Sequence, residues 1–243
     1  MQIQKVKDKS GYILYDAELV ENPEMLGFDA KYWAEQSAII GFAEGRGTTF
    51  FLQYAGRDYV LRHYRRGGLI AKYFEDDYFW TGLRWTRAWR EWYLLASMRE
   101  MGLPVPQPVA CRVMRNGLLY KADLMTRRIM NANTLVDEIS RQPLAEGYWI
   151  ALGSLIRRFH QKGIWHADLN ANNIMLDTGG RFYLIDFDRG RVRKNNPRWQ
   201  LANLQRLKRS LSKLKNKQEV LYFTESDWTN LIKGYQSDGL IEK

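Results

Sequence analysis

The chain has 243 residues, of which 45% are hydrophobic, 26% charged and 14% aromatic. This length and composition allow a sizeable core and exclude a disordered or low-complexity protein. The single cysteine, Cys111, excludes an intramolecular disulfide framework, and three histidines leave little for a structural zinc site. Because the sequence has neither a membrane-spanning apolar stretch nor the apolar core of a secretory signal, we expect a protein of the reducing cytoplasm.

The charge is strongly positive, with 37 Lys and Arg against 27 Asp and Glu, a net +10. Such an imbalance attracts anionic partners, among them nucleic acid, an acidic membrane surface and a phosphorylated substrate. Residues 198–217 contain seven basic residues and no acidic one. This basic segment indicates an anionic partner, although a solvated helix face kept basic for solubility explains it equally well.

The first half of the chain is predicted to contain two β-hairpins, each made of apolar, β-prone runs around a turn. The turn of the first is residues 55–58, and that of the second contains Asn116-Gly117. Their strands are residues 48–54 with 59–64, and residues 109–113 with 118–122.

A helix is predicted between the hairpins, over residues 85–101, and Gly102 marks its end. Its tryptophans alternate with basic residues, a pattern that also occurs where aromatic rings stack on nucleic-acid bases. Helical spacing, however, places Trp85, Trp89 and Trp92 on one face, which is more typical of a core or of a lipid-headgroup contact. We therefore expect no nucleic-acid partner.

The second half begins with an apolar helix over residues 147–163, which we expect to be buried. A hairpin follows, with strands at residues 173–177 and 181–186. The basic segment carries leucines from Leu201 to Leu214 at spacings of three and four. It is therefore predicted to be an amphipathic helix that docks its apolar stripe and exposes its basic residues.

Three polar residues flank the second-half hairpin, namely Asp168, Asn173 and Asp186. Phosphoryl transfer needs a carboxylate that orients an acceptor hydroxyl and takes its proton, together with oxygen ligands for magnesium. Taken singly, each residue is explained as a turn residue that bonds its own backbone. Their joint spacing beside apolar runs favours a catalytic site, in which His166 braces the loop through a backbone hydrogen bond.

The spacing H-x-D-x-x-x-x-N from His166, followed by Asp186-Phe187, resembles the catalytic and metal-binding loops of the protein-kinase-like superfamily. The resemblance implies an α+β, two-lobed fold. A small β-rich N-lobe would span residues 1–125 and a reduced helical C-lobe residues 126–243, with the boundary near 124–128.

The resemblance also implies nucleotide-binding residues in the first half. Residues 41–50 resemble a glycine-rich phosphate-covering loop without the full G-x-G-x-x-G pattern, and residues 59–62 stand in the place of V-A-I-K, with arginine for lysine. A carboxylate inside the following helix would pair with that arginine, and a hinge would hold the adenine. The implied ATP-binding residues are Gly45, Gly47, Arg62, Glu91, Leu124, Met125 and Thr126.

Residues 60–70 and 166–174 sharpen the resemblance, since they are similar to the bacterial 3-deoxy-D-manno-octulosonic acid (Kdo) kinase family. That family implies transfer of the ATP γ-phosphate to a hydroxyl, the 4-OH, of the Kdo sugar on a lipid A precursor. Asp168 would be catalytic, and Asn173 and Asp186 would hold Mg²⁺. The enzyme would be peripheral on the cytoplasmic face of the inner membrane, with the basic segment and Arg65 and Arg66 facing the anionic surface.

Two alternatives remain open from the residues alone: a kinase of another small molecule or of protein, and a non-catalytic basic module that binds membrane or nucleic acid. Two positions depart from the family pattern. Arg62 replaces the phosphate-binding lysine, and Asp188 replaces the glycine of D-F-G. We expect Asp188 to pair with Arg189 or Arg191.

Overall fold

A computed structural model of the chain describes residues 1–9, 11–23, 26–43, 49–65, 76–217 and 220–237. The chain forms two compact units, the first comprising Met1–Ser97 with Pro106–Arg128 and the second Met98–Val105 with Ile129–Lys243. An antiparallel sheet and several helices together confirm the expected α+β fold class. No helix in the described ranges is long and apolar enough to cross a membrane.

The first unit is built on an antiparallel sheet. In the described residues its strand order is β1-β2-β7-β8-β5-β4-β3, with β6 paired to β8. The strands are β1 (Ile3–Asp8), β2 (Gly11–Asp16), β3 (Ile39–Ala43), β4 (Thr49–Tyr54), β5 (Arg57–His63), β6 (Tyr78–Phe79), β7 (Pro108–Asn116) and β8 (Leu119–Arg127). The pairs β4–β5 and β7–β8 confirm the two predicted hairpins.

Leu124, Met125 and Thr126, expected to form the adenine-binding hinge, lie in a strand, and their contact with adenine stays a prediction. All three residues lie inside β8, which pairs with β5 on one side and with β7 on the other. Their side chains are buried. Strand β8 continues beyond the predicted end at residue 122 to Arg127, since residues 119–127 contain no glycine or proline that would stop it.

Two α-helices begin in the described residues of the first unit, α1 (Ala30–Glu35) and α2 (Arg87–Glu100), and the last residues of α2 belong to the second unit. Trp89 and Trp92 are buried on α2, which rules them out as stacking platforms for bases. Trp85 is 60% exposed and lies in a 3-10 turn before the helix. Its expected place on the tryptophan face is therefore wrong, because α2 begins two residues after it.

The second unit contains four helices within its described residues: α3 (Leu135–Arg141), α4 (Glu146–Gln161), α5 (Pro197–Lys215) and α6 (Glu225–Gln236). Strands β11 (Ile174–Asp177) and β12 (Phe182–Leu184) form the predicted hairpin, and β9 (Ala132–Thr134) pairs with β11. Strand β10 (Ile164–Trp165) pairs with β13 (Arg191–Val192).

Helices α4 and α6 cross closely through two glycines. A Cβ atom at Gly153 would lie 1.9 Å from the carbonyl oxygen of Leu231, and one at Gly234 would lie 2.0 Å from that of Ile150. Any larger residue would push the helices apart. The inner face of α4 is buried, as its apolar spacing predicts.

Helix α5 is amphipathic, and Leu204, Leu207 and Leu211 form its buried stripe. Leu201, which the spacing also places on the stripe, is 55% exposed near the start of the helix. Asn203 is buried beside the leucines. This polar residue on an apolar face lies where α5 contacts the loop of residues 166–173.

Candidate active site

Arg62 and Glu91 come together in the first unit. Arg62 lies near the end of β5 and Glu91 in the middle of α2, and their Nη2 and Oε2 atoms are 2.5 Å apart. The Glu91 side chain is 2% exposed and that of Arg62 is 23% exposed. A buried carboxylate needs such a partner, since desolvation without one is costly.

Tyr64 completes this cluster by donating its hydroxyl to Glu91 Oε2 at 2.5 Å. Burial raises the pKa of the Tyr64 phenol well above its usual value, and the Glu91 carboxylate raises it further. Tyr64 therefore stays protonated and acts as a second donor to Glu91. The two glycines expected to cover the nucleotide phosphates, Gly45 and Gly47, lie outside the described residues.

A second buried carboxylate of the first unit, Asp123 on β8, was not anticipated. It accepts from Arg112 Nε at 2.9 Å, and His63 Nδ1 lies 2.6 Å from its other oxygen. The hydrogen bond to Asp123 raises the pKa of His63. This cluster ties strands β5, β7 and β8 together.

In the second unit, residues 166–173 form a loop between β10 and β11. His166 Nε2 donates to the carbonyl oxygen of Ile185 at 2.9 Å, and its Nδ1 accepts from the Asp168 amide at 3.1 Å. Burial lowers the pKa of His166, so the ring is neutral and carries its proton on Nε2. The bracing role predicted for His166 is confirmed.

Asp168 and Asn173 are joined across this loop. The Asn173 amide nitrogen donates to the backbone carbonyl of Asp168 at 2.9 Å, and Asn170 donates to the same oxygen. Because its nitrogen is used in this way, Asn173 keeps its carbonyl oxygen as the atom a cation could bind.

Asp186 directly follows Ile185, which is hydrogen-bonded to Asn173 where the two strands of the hairpin pair. The backbone amide of Ile185 donates to the backbone carbonyl of Asn173 at 3.0 Å. This bond holds Ile185, the residue before Asp186, against the end of the loop. Asp186 itself has a φ of 59°, in the left-handed region that Asp tolerates better than most residues. The structure thus brings Asp168, Asn173 and Asp186 to one end of the β11–β12 hairpin.

Helix α5 supplies contacts to the loop that the sequence interpretation missed. Arg206 donates from Nε and Nη2 to Oδ1 of Asp168, at 2.9 and 2.6 Å. Asn203 bonds both the amide and the carbonyl of His166, at 3.3 and 3.0 Å, and Ser210 accepts from the Ala171 amide at 3.4 Å. The available signal was the spacing of these three polar residues, which places them on one helix face beside the leucine stripe.

The donor set fits a magnesium ion. Mg²⁺ is usually held by one or two carboxylates, water and substrate phosphates. Asp186 supplies a carboxylate and Asn173 an amide oxygen whose nitrogen is already engaged. The described residues contain no cluster of three or more His, Cys, Asp or Glu that would suit a metal caged by protein alone.

Comparison with known proteins shows the family to which the chain belongs. The model of the lipopolysaccharide kinase (Kdo/WaaP) family matches residues 30–235. The chain belongs to the lipopolysaccharide kinase family. The matched range contains both the Arg62–Glu91 cluster and the loop that carries Asp168.

Individual relatives are similar over nearly their whole length. A 3-deoxy-D-manno-octulosonic acid kinase of Vibrio parahaemolyticus is 40% identical over 94% of this chain and 95% of the relative. The protein of the same name from Photobacterium damsela subsp. piscicida is 40% identical over 98% of both chains. That from Haemophilus influenzae strain PittEE is 38% identical over 96% of this chain and 99% of the relative.

Proposed function

We propose that this lipopolysaccharide kinase transfers the γ-phosphate of ATP to the 4-OH of a Kdo sugar on a lipid A precursor. The names of its relatives support Kdo as the sugar. The observation that carries the reaction type is the placement of Asp168, Asn173 and Asp186 at one end of the hairpin. A hydroxyl-orienting carboxylate beside two oxygen ligands is the set that phosphoryl transfer requires.

In this reaction Asp168 accepts a hydrogen bond from the sugar hydroxyl and aims its oxygen at the γ-phosphorus. The oxygen–phosphorus bond forms as the bond from the γ-phosphorus to the bridging oxygen of ADP breaks, and Asp168 takes the hydroxyl proton. Its backbone is fixed by Asn170 and Asn173, so its carboxylate needs little reorganisation.

Magnesium, when bound, would neutralise the charge of the nucleotide phosphates. Asn173 and Asp186 would hold it. Asp186→Ala should therefore lose magnesium-dependent ATP binding in calorimetry while its melting temperature stays close to that of the wild type. Wild-type protein in EDTA is the matched control and should bind ATP as weakly. Unchanged affinity of the variant in magnesium would remove Asp186 from the site.

Arg62 is proposed to contact the nucleotide phosphates, as lysine does in related kinases. Glu91 and Tyr64 hold the guanidinium near the end of β5. Arginine can meet phosphate oxygens with two parallel N–H groups, which lysine cannot.

We also propose that the enzyme works at the anionic cytoplasmic face of the inner membrane. Three basic residues, two on α5 and one in the turn that follows it, line a shallow groove and have no ion-pair partner in the described part of the chain: Arg209, Lys213 and Lys217. Basic residues near an anionic bilayer contribute about 1 kcal/mol each. Arg206 and Lys215, by contrast, are engaged with Asp168 and with the Phe223 carbonyl.

Replacing Arg209, Lys213 and Lys217 by Gln should weaken sedimentation with anionic vesicles, more at low salt than at high salt. A control variant with Gln at the exposed Arg99, Arg141 and Lys162 removes the same charge elsewhere. Equal losses in the two variants would show an effect of net charge and not of this surface.

The enzymatic proposal is tested by incubating the protein with ATP, magnesium and a Kdo-bearing lipid A precursor. Mass spectrometry should find a product heavier by one phosphate group, and fragmentation should place the phosphate on the Kdo 4-OH. Phosphate on another hydroxyl would correct the regiochemistry. ATP consumption without a phosphorylated sugar would refute Kdo as the acceptor.

A further inference from the structure

Among the described residues, the pair formed by Arg206 and Asp168 uses two of the five N–H groups of the guanidinium. Both Nε and Nη2 of Arg206 donate to the same oxygen, Oδ1 of Asp168. A guanidinium carries five N–H groups on three nitrogens. Within the described ranges Nη1 has no hydrogen-bond partner, and the Arg206 side chain is 48% exposed.

Stability does not explain this pair. The Asp168 side chain is 39% exposed, and ion pairs this accessible contribute little to folding because water screens them. Two neighbouring contacts anchor α5 to the loop independently of the ion pair. Asn203 bonds the His166 backbone, and Ser210 accepts from the Ala171 amide. Arg206 lies between these two anchors on the same helix face, which holds its guanidinium in a fixed position over Asp168.

An acceptor that carries a carboxylate would be repelled by Asp168, and the positive charge of Arg206 offsets this repulsion. A hydroxyl that bonds to Asp168 lies about 3 Å from its carboxylate, so a carboxylate elsewhere on the same sugar is brought near a like charge. Repulsion would weaken binding of the acid unless a cation lies beside Asp168. Arginine is suited to this position, because it can bond one carboxylate along each of two edges.

We propose that Arg206 is a specificity-determining residue that binds the carboxylate of the acceptor sugar through Nη1 while its Nε–Nη2 edge holds Asp168. The assignment rests on the proposed function, since it takes an octulosonic acid as the acceptor. Arg206 then has a role in sugar recognition that the basic character of α5 alone does not imply.

The test compares two acceptors, the Kdo-bearing precursor and the same molecule with its Kdo carboxyl reduced to an alcohol, at saturating ATP and magnesium. Arg206→Gln should raise the KM for the acidic acceptor at least about tenfold, as expected for loss of a charge-assisted hydrogen bond. The KM for the reduced acceptor and the KM for ATP should stay within about twofold of wild type, because neither contact involves the lost charge.

Two further variants sharpen the result. Arg206→Lys keeps a positive charge but cannot serve two edges, so its KM for the acid should lie between those of the wild type and Arg206→Gln. Arg141→Gln removes an exposed charge from α3 of the same unit and should leave both KM values unchanged. Circular dichroism melts establish that each variant is folded, and if Arg206→Gln does not fold, the lysine variant decides.

Equal rises in KM for both acceptors, or a fall in kcat alone, would overturn the proposal and leave Arg206 acting only through Asp168. Wild-type preference for the acid in Arg206→Gln would overturn it as well. If the wild type phosphorylates neither acceptor, the proposed function fails and the assignment fails with it. If the wild type phosphorylates the acidic acceptor and the Arg206 variants do not show the expected changes in KM, the Arg206 assignment alone is wrong.

Discussion

The two units hold their functional residues in opposite ways. In the first unit Glu91 and Asp123 are carboxylates with side chains only 2% and 1% exposed, and each has two polar partners. In the second unit the loop backbone is held by neutral groups, His166, Asn170, Asn173 and Asn203, and Asp168 keeps its carboxylate partly exposed.

The roles proposed for these carboxylates account for this difference. A carboxylate that only positions another group can be buried, provided that partners offset its desolvation. A carboxylate that must meet a substrate hydroxyl and take its proton has to remain accessible. Neutral hydrogen bonds to the Asp168 backbone fix its position, and Arg206 bonds its carboxylate at one oxygen, Oδ1.

The largest stability effect should come from breaking the ionic cluster of the first unit. Glu91→Ala leaves Arg62 and Tyr64 without their shared acceptor, and we expect a loss of about 3 kcal/mol, the lower end for buried pairs because Arg62 is partly exposed. Urea denaturation measures the loss. Glu100→Ala, at the exposed end of α2, is the control and should change little; equal effects would mean that the cluster adds nothing specific.

Removing a neutral anchor of the second unit should cost less. Asn203→Ala leaves the buried amide and carbonyl of His166 unpaired, which should destabilise the protein by about 2 kcal/mol. Gln205→Ala on the exposed side of α5 serves as control. A variant as stable as the wild type would show that the loop does not depend on α5.

The units should also respond oppositely to pH. Burial lowers the pKa of His160 to about 4, below its unfolded value of 6.5, so its stabilising effect is lost as pH falls below 6.5. Between pH 7.5 and 5.5 this loss is about 1 kcal/mol. His166 shifts in the same direction. His63, whose pKa is raised, stabilises below 6.5, and its contribution is lost as pH rises through its folded pKa.

Denaturation of His160→Gln and His63→Gln across this pH range separates the two effects. His160→Gln should lose less stability on acidification than the wild type, whereas His63→Gln should lose more. Identical pH profiles for the two variants and the wild type would contradict the assigned environments.

Local patterns predicted much of this fold. Alternation and helical spacing predicted the β4–β5, β7–β8 and β11–β12 hairpins and the helices α2, α4 and α5. Motif spacing also led to the expectation of an arginine–carboxylate pair, and the structure has Arg62 and Glu91 in contact. The hairpins and helices depend on residues that are close in sequence. The Arg62–Glu91 pair was expected because the motif assigns a place to each of its two residues.

What the sequence did not predict depends on long-range packing. Arg206 and Asp168 are 38 residues apart, and their contact exists because α5 docks along the loop. The place of Leu124 to Thr126 inside β8 was not predicted, because the length of the strand is set by pairing with β5 and β7 and not by the turn that starts it. Trp85 was misassigned because helical spacing does not show where a helix begins.

The most direct test of the account is the single-turnover rate of Asp168→Asn with a Kdo-bearing acceptor, ATP and magnesium. Asn keeps the shape of the side chain but cannot take the hydroxyl proton, and positioned acid–base groups typically contribute about a hundredfold to ten-thousandfold. We expect a folded variant that binds ATP about normally and transfers phosphate at least about a hundredfold more slowly. A variant that keeps more than about a tenth of the wild-type rate would show that another residue orients the hydroxyl.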